Sequence, residues 1–330
     1  MMNSRRKFVI ATIGTLGVMA WALLSPAQAQ DRYPSRTIRV IIPFAPGSGS
    51  DLVARVVGEA IATQMGVAVV SETLEGAGGA IGAATVAKAQ PDGYTLLSAA
   101  TPMTVGPYMQ KTMPYDPAKD FTAITRVAVL PLVLVTSGKA PWQTFQELVT
   151  HVRANPGKVN YATGGKGSPS HLEVELMINP LGLQAQDVPY KNFGQALTDV
   201  IGGRADFIMA SVPITASHIQ AGSLRALAVG SATRVPTVPT APTLAEAMNR
   251  PGHEAIVWYG FAGPAGMPAD IAARLDQEIR RAAATAAVRA RVEQVGGLVS
   301  LAGPAEFGAQ IRAESEKWAG IVKRLKLNTE

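Results

Sequence analysis

The chain has 330 residues, no cysteine, and 30 Lys and Arg against 24 Asp and Glu, which gives a formal net charge of +6. The lack of cysteine excludes disulfides, a thiol nucleophile and a zinc–thiolate site. A chain of this length can bury a large enough core to be stable without disulfides, and its length is typical of two domains. The charge excess is too small and too scattered to favour a nucleic-acid-binding protein.

The first 29 residues have the pattern of a signal peptide. Three basic residues at positions 5–7 precede an apolar run at 9–24, and residues 27–29 read Ala-Gln-Ala, the small residues that a signal peptidase recognises. The apolar run is short for a membrane span of about 20 residues, but an uncleaved anchor remains an alternative. The basic cluster also resembles a twin-arginine signal, so the Sec and Tat routes both stay open. We expect a periplasmic chain that begins at Gln30 and carries a net charge of +3.

After Asp31, short β-branched apolar runs alternate with amphipathic helical patterns, which indicates an α/β protein. The predicted strands are Thr37–Phe44, Val67–Glu72, Tyr94–Ser98, Ala128–Gly138, Lys158–Ala162, Ala185–Val188, Phe207–Ser211 and Arg225–Gly230. The predicted helices are Asp51–Met65, Ala80–Ala89, a helix that ends before Asn155, His171–Asn179, Phe193–Gly202, Ala269–Val295 and Pro304–Leu325. A Pro/Thr-rich loop is predicted at Arg234–Thr243.

Two glycine-serine loops, "PFAPGSGSD" at 43–51 and "TGGKGSPSH" at 163–171, each join a predicted strand to a predicted helix. Gly47 and Gly49 fit the start of a dinucleotide fingerprint, but Leu52 stands at its third glycine, and a simple tight turn is also compatible. Backbone N–H groups at a helix start attract an anion by about 0.3–1 kcal/mol. The two loops could therefore face each other across a cleft and hold one small carboxylate.

The candidates for catalysis do not form a recognisable constellation. The four histidines are His151, His171, His218 and His253. None lies at metal-ligand spacing from another, so we expect no metal site. Ser168 and Ser170 stand beside a histidine, but no G-x-S-x-G elbow surrounds them, and helix capping is a commoner role there. Trp142, Trp258 and Trp318 are expected to pack in the core.

Six segments, taken in order, resemble the Bug (Bordetella uptake gene) family, the periplasmic solute receptors of tripartite tricarboxylate transporters. They read "YPSRTIRVIIPFAPGSGSD", "GAGGAIGAATVAKAQPDGYTLL", "YATGGKGSPSHLEVE", "VPYKNFGQALTDVIGGRADF", "GSLRALAVGSATRVPTVPTAPTLAEA" and "VWYGFAGPAGMP". The resemblance covers essentially the whole mature chain. It implies the two-lobed periplasmic-binding-protein fold of type II, in which each lobe is a mixed sheet flanked by helices and the ligand lies in the cleft between them.

The resemblance also implies a domain division. The signal peptide would be 1–29, lobe 1 would combine 30–134 with 257–330, and lobe 2 would be 135–256. The two hinge crossings are expected near Leu132–Val135 and Ile256–Tyr259.

The expected function is that of a monomeric receptor without a cofactor. It would capture a di- or tricarboxylate, an amino acid or an aromatic monocarboxylate and deliver it to a membrane permease. Two alternatives stay open: a periplasmic α/β enzyme that acts on a carboxylate, and a receptor that feeds a membrane sensor.

The residues expected to bind the ligand lie in and around the glycine-rich turns. They are Phe44, Ala45, Ser48, Gly49, Ser50, Asp51, Gly78, Thr101, Thr163, Gly164, Gly165, Gly167, Ser168, His171, Tyr190 and Asp206. Asp206 could equally lie in a surface turn without touching the ligand, and Tyr190 could equally be a core aromatic residue. The sequence departs from the family pattern at Thr73-Leu74-Glu75, where Asn-Arg-Pro is usual, and at Asn192, where glycine is usual.

Overall fold

A computed structural model describes residues 33–109, 113–165, 168–190, 192–294 and 297–325. The chain divides into two units, 1–35 and 36–330, and every helix and strand of the described residues belongs to the second. The predicted signal peptide lies outside the described residues. No helix in the described part of the chain is long and apolar enough to cross a membrane.

The described residues form ten strands and eleven α-helices. The strands are β1 (Ile38–Ile42), β2 (Val69–Thr73), β3 (Thr95–Ala100), β4 (Phe121–Ser137), β5 (Asn160–Thr163), β6 (Gln186–Pro189), β7 (Phe207–Ser211), β8 (Leu224–Val229), β9 (Ile256–Pro264) and β10 (Leu298–Ala302). The helices are α1 (Gly49–Met65), α2 (Ala80–Ala87), α3 (Pro102–Met109), α4 (Phe145–Ala154), α5 (Pro169–Ile178), α6 (Phe193–Ile201), α7 (Val212–Gln220), α8 (Leu244–Met248), α9 (Ala269–Ala283), α10 (Ala286–Gln294) and α11 (Pro304–Leu325).

The long strand β4 belongs to two sheets. Its first part pairs with β9 and β10 in a sheet that continues through β3, β1 and β2, and its second part pairs with β7 and β8 in a sheet that continues to β5 and β6. The change of partner falls between Pro131, which pairs with Ile256, and Leu132, which pairs with Ser211. The two sheets are the frames of the two lobes.

Each sheet has its own aromatic core. Against the first sheet, Trp258 of β9 meets Phe307 of α11 edge to face, with ring centroids 5.1 Å apart, and both rings are fully buried. In the second, Tyr161 stacks on Phe207 at 5.7 Å, and both rings are buried. Rings of this size bury enough apolar area to dominate the stability of each lobe.

Most of the predicted elements are confirmed, and the differences have local causes. The predicted helix Ala269–Val295 is wrong, because the structure breaks it into α9 and α10 at Thr285, whose hydroxyl accepts from the N–H group of Val288 at 3.4 Å. The buried strand predicted at Ala128–Gly138 is only the second part of β4. Sequence reasoning did not identify α3, α7, α8 and β10.

Candidate ligand-binding site

The glycine-serine loops lie at two sheet edges that point towards each other. Strands β1, β2 and β3 run parallel to β4, and their carboxyl ends lie level with Ala128, since Ala100 pairs with Tyr259 and Tyr259 pairs with Ala128. Strands β5, β6 and β7 run in the opposite direction, and β7 ends beside Leu132. Four residues of extended strand span about 13 Å. The two sets of carboxyl ends therefore face each other across the point where β4 changes sheets.

The first loop, residues 43–48, is braced from within by a buried carboxylate. Asp51 accepts from the N–H group of Gly47 at 2.9 Å and from Nε of Arg55 at 2.7 Å, and its side chain is 5% exposed. The Ser48 hydroxyl caps α1 by accepting from the N–H group of Asp51 at 3.3 Å. This loop is held in shape before any ligand arrives.

Two backbone donors of this loop remain available. The first N–H groups of a helix have no partner within the helix. Among the described residues, no other group accepts from the N–H groups of Gly49 and Ser50. The Ser50 side chain is turned inward to the Ser98 hydroxyl at 2.8 Å, so only its backbone can serve a ligand.

Tyr259 of β9 reaches this helix start. A Cβ atom on Gly49 would lie 2.4 Å from the Tyr259 hydroxyl oxygen, so only glycine allows the contact. Burial raises the pKa of Tyr259 to about 12, which keeps the phenol protonated as a hydrogen-bond donor. Sequence reasoning missed this residue as part of the site, because its contact with Gly49 depends on the pairing of distant strands.

The remaining predicted residues of the first edge have mixed roles. Gly78, with a φ of 64°, lies in a turn that is exposed at the end of β2. Phe44 packs against the next glycine of that turn, and Ala45 is exposed. Thr101 is 6% exposed, and its hydroxyl accepts from the N–H group of Trp258 at 2.9 Å. Thr101 therefore ties α3 to β9, and its hydroxyl serves this bond.

The second loop, residues 164–168, is braced by neutral hydroxyl groups. Ser168 caps α5 by accepting from the N–H group of His171 at 3.3 Å, and Ser170 accepts from the N–H group of Gly164 at 3.0 Å. The Thr163 hydroxyl donates to Asp187 at 2.6 Å and accepts from the N–H group of Gly165 at 3.1 Å. Proline at position 169 has no N–H group, so Ser170 supplies the one first-turn donor that α5 can offer. Gly167 lies outside the described residues.

Two larger side chains predicted for this edge are turned away from the cleft or already bonded. His171 is 3% exposed, and its ring lies 6.4 Å from that of Tyr161. The Tyr190 hydroxyl donates to Asp199 at 3.0 Å, while its backbone N–H group bonds the last residue of β5. Burial, and after it the Asp199 carboxylate, raises the pKa of Tyr190. Tyr190 thus stands at the correct edge with its phenol held by α6.

Asp206 lies at the opposite end of the second sheet from the glycine-serine loop. It precedes β7 and accepts from the N–H group of Asn160, the first residue of β5, at 2.7 Å. Because β5 and β7 are parallel, this is the amino end of both strands, whereas the loop follows their carboxyl ends. The cleft position expected for Asp206 is therefore wrong, and its carboxylate joins the starts of β5 and β7 at the far edge.

Comparison with known proteins decides the family. The sequence model described as "Tripartite tricarboxylate transporter family receptor" matches residues 53–327. The chain belongs to this receptor family. Protein BugT of Bordetella pertussis is 34% identical over 324 residues, which cover 98% of each chain. The resemblance to Bug proteins is thereby confirmed.

Two solved structures of similar proteins extend this finding to the fold. The periplasmic binding protein BugD is 32% identical, with a TM-score of 0.70 over 90% of this chain and 100% of that one. MatC from Rhodopseudomonas palustris, solved with bound malate, is 29% identical, with a TM-score of 0.67 over 88% of this chain and 100% of that one. The two-lobed α/β fold expected of a receptor is confirmed, and these relatives are solute-binding proteins.

The structure shows where this chain departs from the sequence pattern of the receptor family. Thr73 ends β2, and its hydroxyl accepts from Arg55 at 3.4 Å, so the arginine that braces the first loop also reaches the neighbouring turn. Glu75 is exposed. Asn192 caps α6 through its side chain, which accepts from the N–H group of Gly194 at 2.9 Å, and its φ of −118° needs no glycine. The i,i+4 spacing of Asp51 and Arg55 was the one signal in the sequence for the brace.

Proposed function

We propose that this chain is a periplasmic receptor that captures one small carboxylate between the loops 43–48 and 164–168 and delivers it to the membrane subunits of a tripartite transporter. The observation that carries the proposal is the opposed placement of two serine-capped helix starts across the β4 crossing. Each helix start carries partial positive charge and directs backbone donors outward. The malate bound to its relative MatC supports a carboxylate as the ligand class.

The proposed contacts come mainly from the backbone. The N–H groups of Gly49, Ser50 and Ser170 and the phenol of Tyr259 would donate to the ligand, and the exposed Gly164 and half-buried Gly165 would allow it to approach closely. A hydrogen bond to a charged acceptor contributes about 1.5–3 kcal/mol. Several such bonds suit an anion without a dedicated arginine.

The proposed lobes are 30–134 with 257–330, and 135–256. The change of sheet between Pro131 and Leu132, and the start of β9 at Ile256, support boundaries close to these positions. The proposal also includes removal of residues 1–29. Amino-terminal sequencing of the exported protein is expected to begin at Gln30, and a membrane-bound full-length chain would contradict this.

A thermal-shift screen of small carboxylates, malate included, tests the ligand class. A ligand at 100 times its dissociation constant stabilises the protein by about 2.7 kcal/mol. The best ligand and its amide are then compared by isothermal titration. Because the proposed donors need a charged acceptor, the amide is expected to bind at least tenfold more weakly, a difference of about 1.4 kcal/mol or more. Equal affinity for the acid and the amide would refute the site.

The fate of the ligand separates a receptor from an enzyme. A receptor binds one equivalent and releases it unchanged, and mass spectrometry of the released ligand is expected to show the starting compound. Appearance of a product at a rate that scales with protein concentration would instead support the enzyme alternative.

A further inference from the structure

A cavity of about 510 Å³ has no residue of the two glycine-serine loops in its lining. We call it the α5–α11 cavity. Its lining includes Glu173, Leu176, Arg250, His253, Lys317 and Trp318. Of the residues predicted to bind the ligand of the cleft, Thr101 alone of those described also lines it. A cavity of this volume falls within the range of sites for small molecules.

Three residues that line this cavity each have a buried side-chain atom that lacks a hydrogen-bond partner among the described residues. These atoms are Oε2 of Glu173, Nε2 of His253 and Nε1 of Trp318. Glu173 is 4% exposed and Trp318 is 1% exposed. A buried polar group without a partner costs stability, and most such groups in proteins are satisfied. Because the indole Nε1–H group can only donate, the missing partner of Trp318 is an acceptor atom.

The lining carries three bases, Arg126, Arg250 and Lys317, and four acids, Glu173, Glu254, Glu306 and Glu314. One of the bases lies directly beside the unpaired indole group. The Lys317 ammonium lies 4.5 Å from the centre of the Trp318 ring, and Arg250 makes its hydrogen bond to the carbonyl of Pro180 at 3.4 Å. Among the ion pairs of the described residues, none includes Lys317 or Arg250. The two cations therefore have no carboxylate partner of their own.

The half-buried Glu314, which lies one turn before Lys317 on α11, is already engaged. Glu314 accepts from Nε1 of Trp258 at 2.7 Å, from the hydroxyl of Thr104 at 3.3 Å and from Nε2 of Gln310 at 2.9 Å. It is held in place and does not neutralise Lys317 through an ion pair. An oxygen acceptor placed at Trp318 would meet an unpaired N–H group that has the Lys317 ammonium beside it.

We propose that the α5–α11 cavity binds a small organic carboxylate as a second ligand, with one oxygen accepting from the Nε1–H group of Trp318 and its charge compensated by Lys317 and Arg250. Glu173 and His253 would bond the rest of the ligand. The lining comes from both sides of the β4 crossing, with Glu173 and His253 on one side and Trp318 on the other. A ligand here would hold the two lobes in their present arrangement and so favour binding in the cleft.

The second site is expected to take up a proton with its ligand. Burial raises the pKa of Glu173 to about 7, with Lys317 lowering it and Glu314 raising it further. A carboxylate ligand beside Glu173 adds a like charge and favours its protonated form. Affinity should therefore rise as the pH falls from 8 to 6. The charged or titratable residues that line the cavity together with Glu173 are Arg126, Arg250, His253, Glu254, Glu306, Glu314 and Lys317.

The test follows the indole N–H signals of the mature protein by NMR during titration with acetate, benzoate and malate. The Trp318 signal, assigned by its loss in Trp318→Phe, is expected to shift and saturate with at least one of these probes. The Trp142 signal is the internal control, because its Nε1–H group already donates to Thr136 at 2.9 Å. A Trp318 signal that none of the three probes moves to saturation would overturn the proposal.

Two lysine variants separate this site from the cleft. Lys317→Met is expected to weaken the titration of the Trp318 signal at least tenfold, while Lys323→Met on the same helix, which does not line the cavity, should leave it unchanged. Glu173→Gln should keep the binding and remove its dependence on pH between 6 and 8. Equal effects of the two lysine changes, or an unaltered pH dependence in Glu173→Gln, would show that the signal reports a ligand bound elsewhere.

Discussion

The two glycine-serine loops share one geometry and differ in what holds it. Ser48 and Ser168 cap their helices with the same φ of −66° and the same 3.3 Å hydrogen bond to the third helical residue. The first loop is braced by the carboxylate of Asp51, and the second by the hydroxyl of Ser170. A charged brace next to a proposed anion site is compatible with binding because Arg55 compensates the charge. Two loops with the same helix-cap geometry can therefore be supported by different groups, a charged carboxylate in the first and a neutral hydroxyl in the second.

The largest expected difference between the loops comes from removing the braces. Asp51→Ala removes an almost fully buried carboxylate and leaves the N–H group of Gly47 and the side chain of Arg55 without it, which should lower the free energy of unfolding by about 3 kcal/mol. Ser170→Ala leaves the N–H group of Gly164 unpaired and should cost about 1 kcal/mol. Urea unfolding with an unchanged m value measures both. Equal losses would show that the first brace is not special.

Substitution of one glycine in each loop should change stability by amounts that differ less than those of the brace variants. Gly49→Ala places a methyl group against Tyr259 and should cost about 2 kcal/mol of stability, in the range of an overpacked site. Gly165→Ala meets no atom within 4 Å but must adopt a φ of about 100°, a strain of about 1 kcal/mol. The informative control is Gly49→Ala combined with Tyr259→Ala, because that pair should lose less stability than the sum of the single changes. Additive losses would contradict the proposed contact.

The caps should show the smallest effects and no difference between the loops. Ser48→Ala and Ser168→Ala each remove a side-chain acceptor at a helix start, and each should lower the free energy of unfolding by about 1 kcal/mol. Thermal unfolding of the two variants, with Ser48→Asp and Ser168→Asp as controls that retain an acceptor, measures this. A difference of more than about 1 kcal/mol between the two alanine variants would mean that one serine does more than cap its helix.

Local features of the site could be predicted from the sequence, and the direction of its side chains could not. Short stretches of sequence are enough to predict the order of strand, loop and helix and the serine at each helix start. Whether Thr163 and His171 face the cleft or the core depends on which strands and helices pack around them, and both proved to be buried. Asp206 was misplaced for the same reason, because the sequence does not show at which end of β5 it would lie.

Long-range pairing accounts for what sequence reasoning missed. Tyr259 comes to Gly49 only because β9 inserts between β3 and β4. The first half of β4 mixes Thr, Ala and Arg, which conceals a strand, because the pattern of burial is set by partners more than a hundred residues later. The break at Thr285 is local, but threonine is also found within helices, so its hydroxyl did not mark a boundary.

The double membership of β4 has a consequence for the order in which the protein can fold. All strands of the second sheet lie between residues 121 and 229, so that sheet can complete its pairing without the later part of the chain. The first sheet must wait for β9 and β10, which end at Ala302. Pairings between residues close in sequence form early, whereas pairings between distant residues form late. During folding, the first half of β4 is therefore an unpaired strand edge until β9 and β10 pair with it, while the second sheet has already formed.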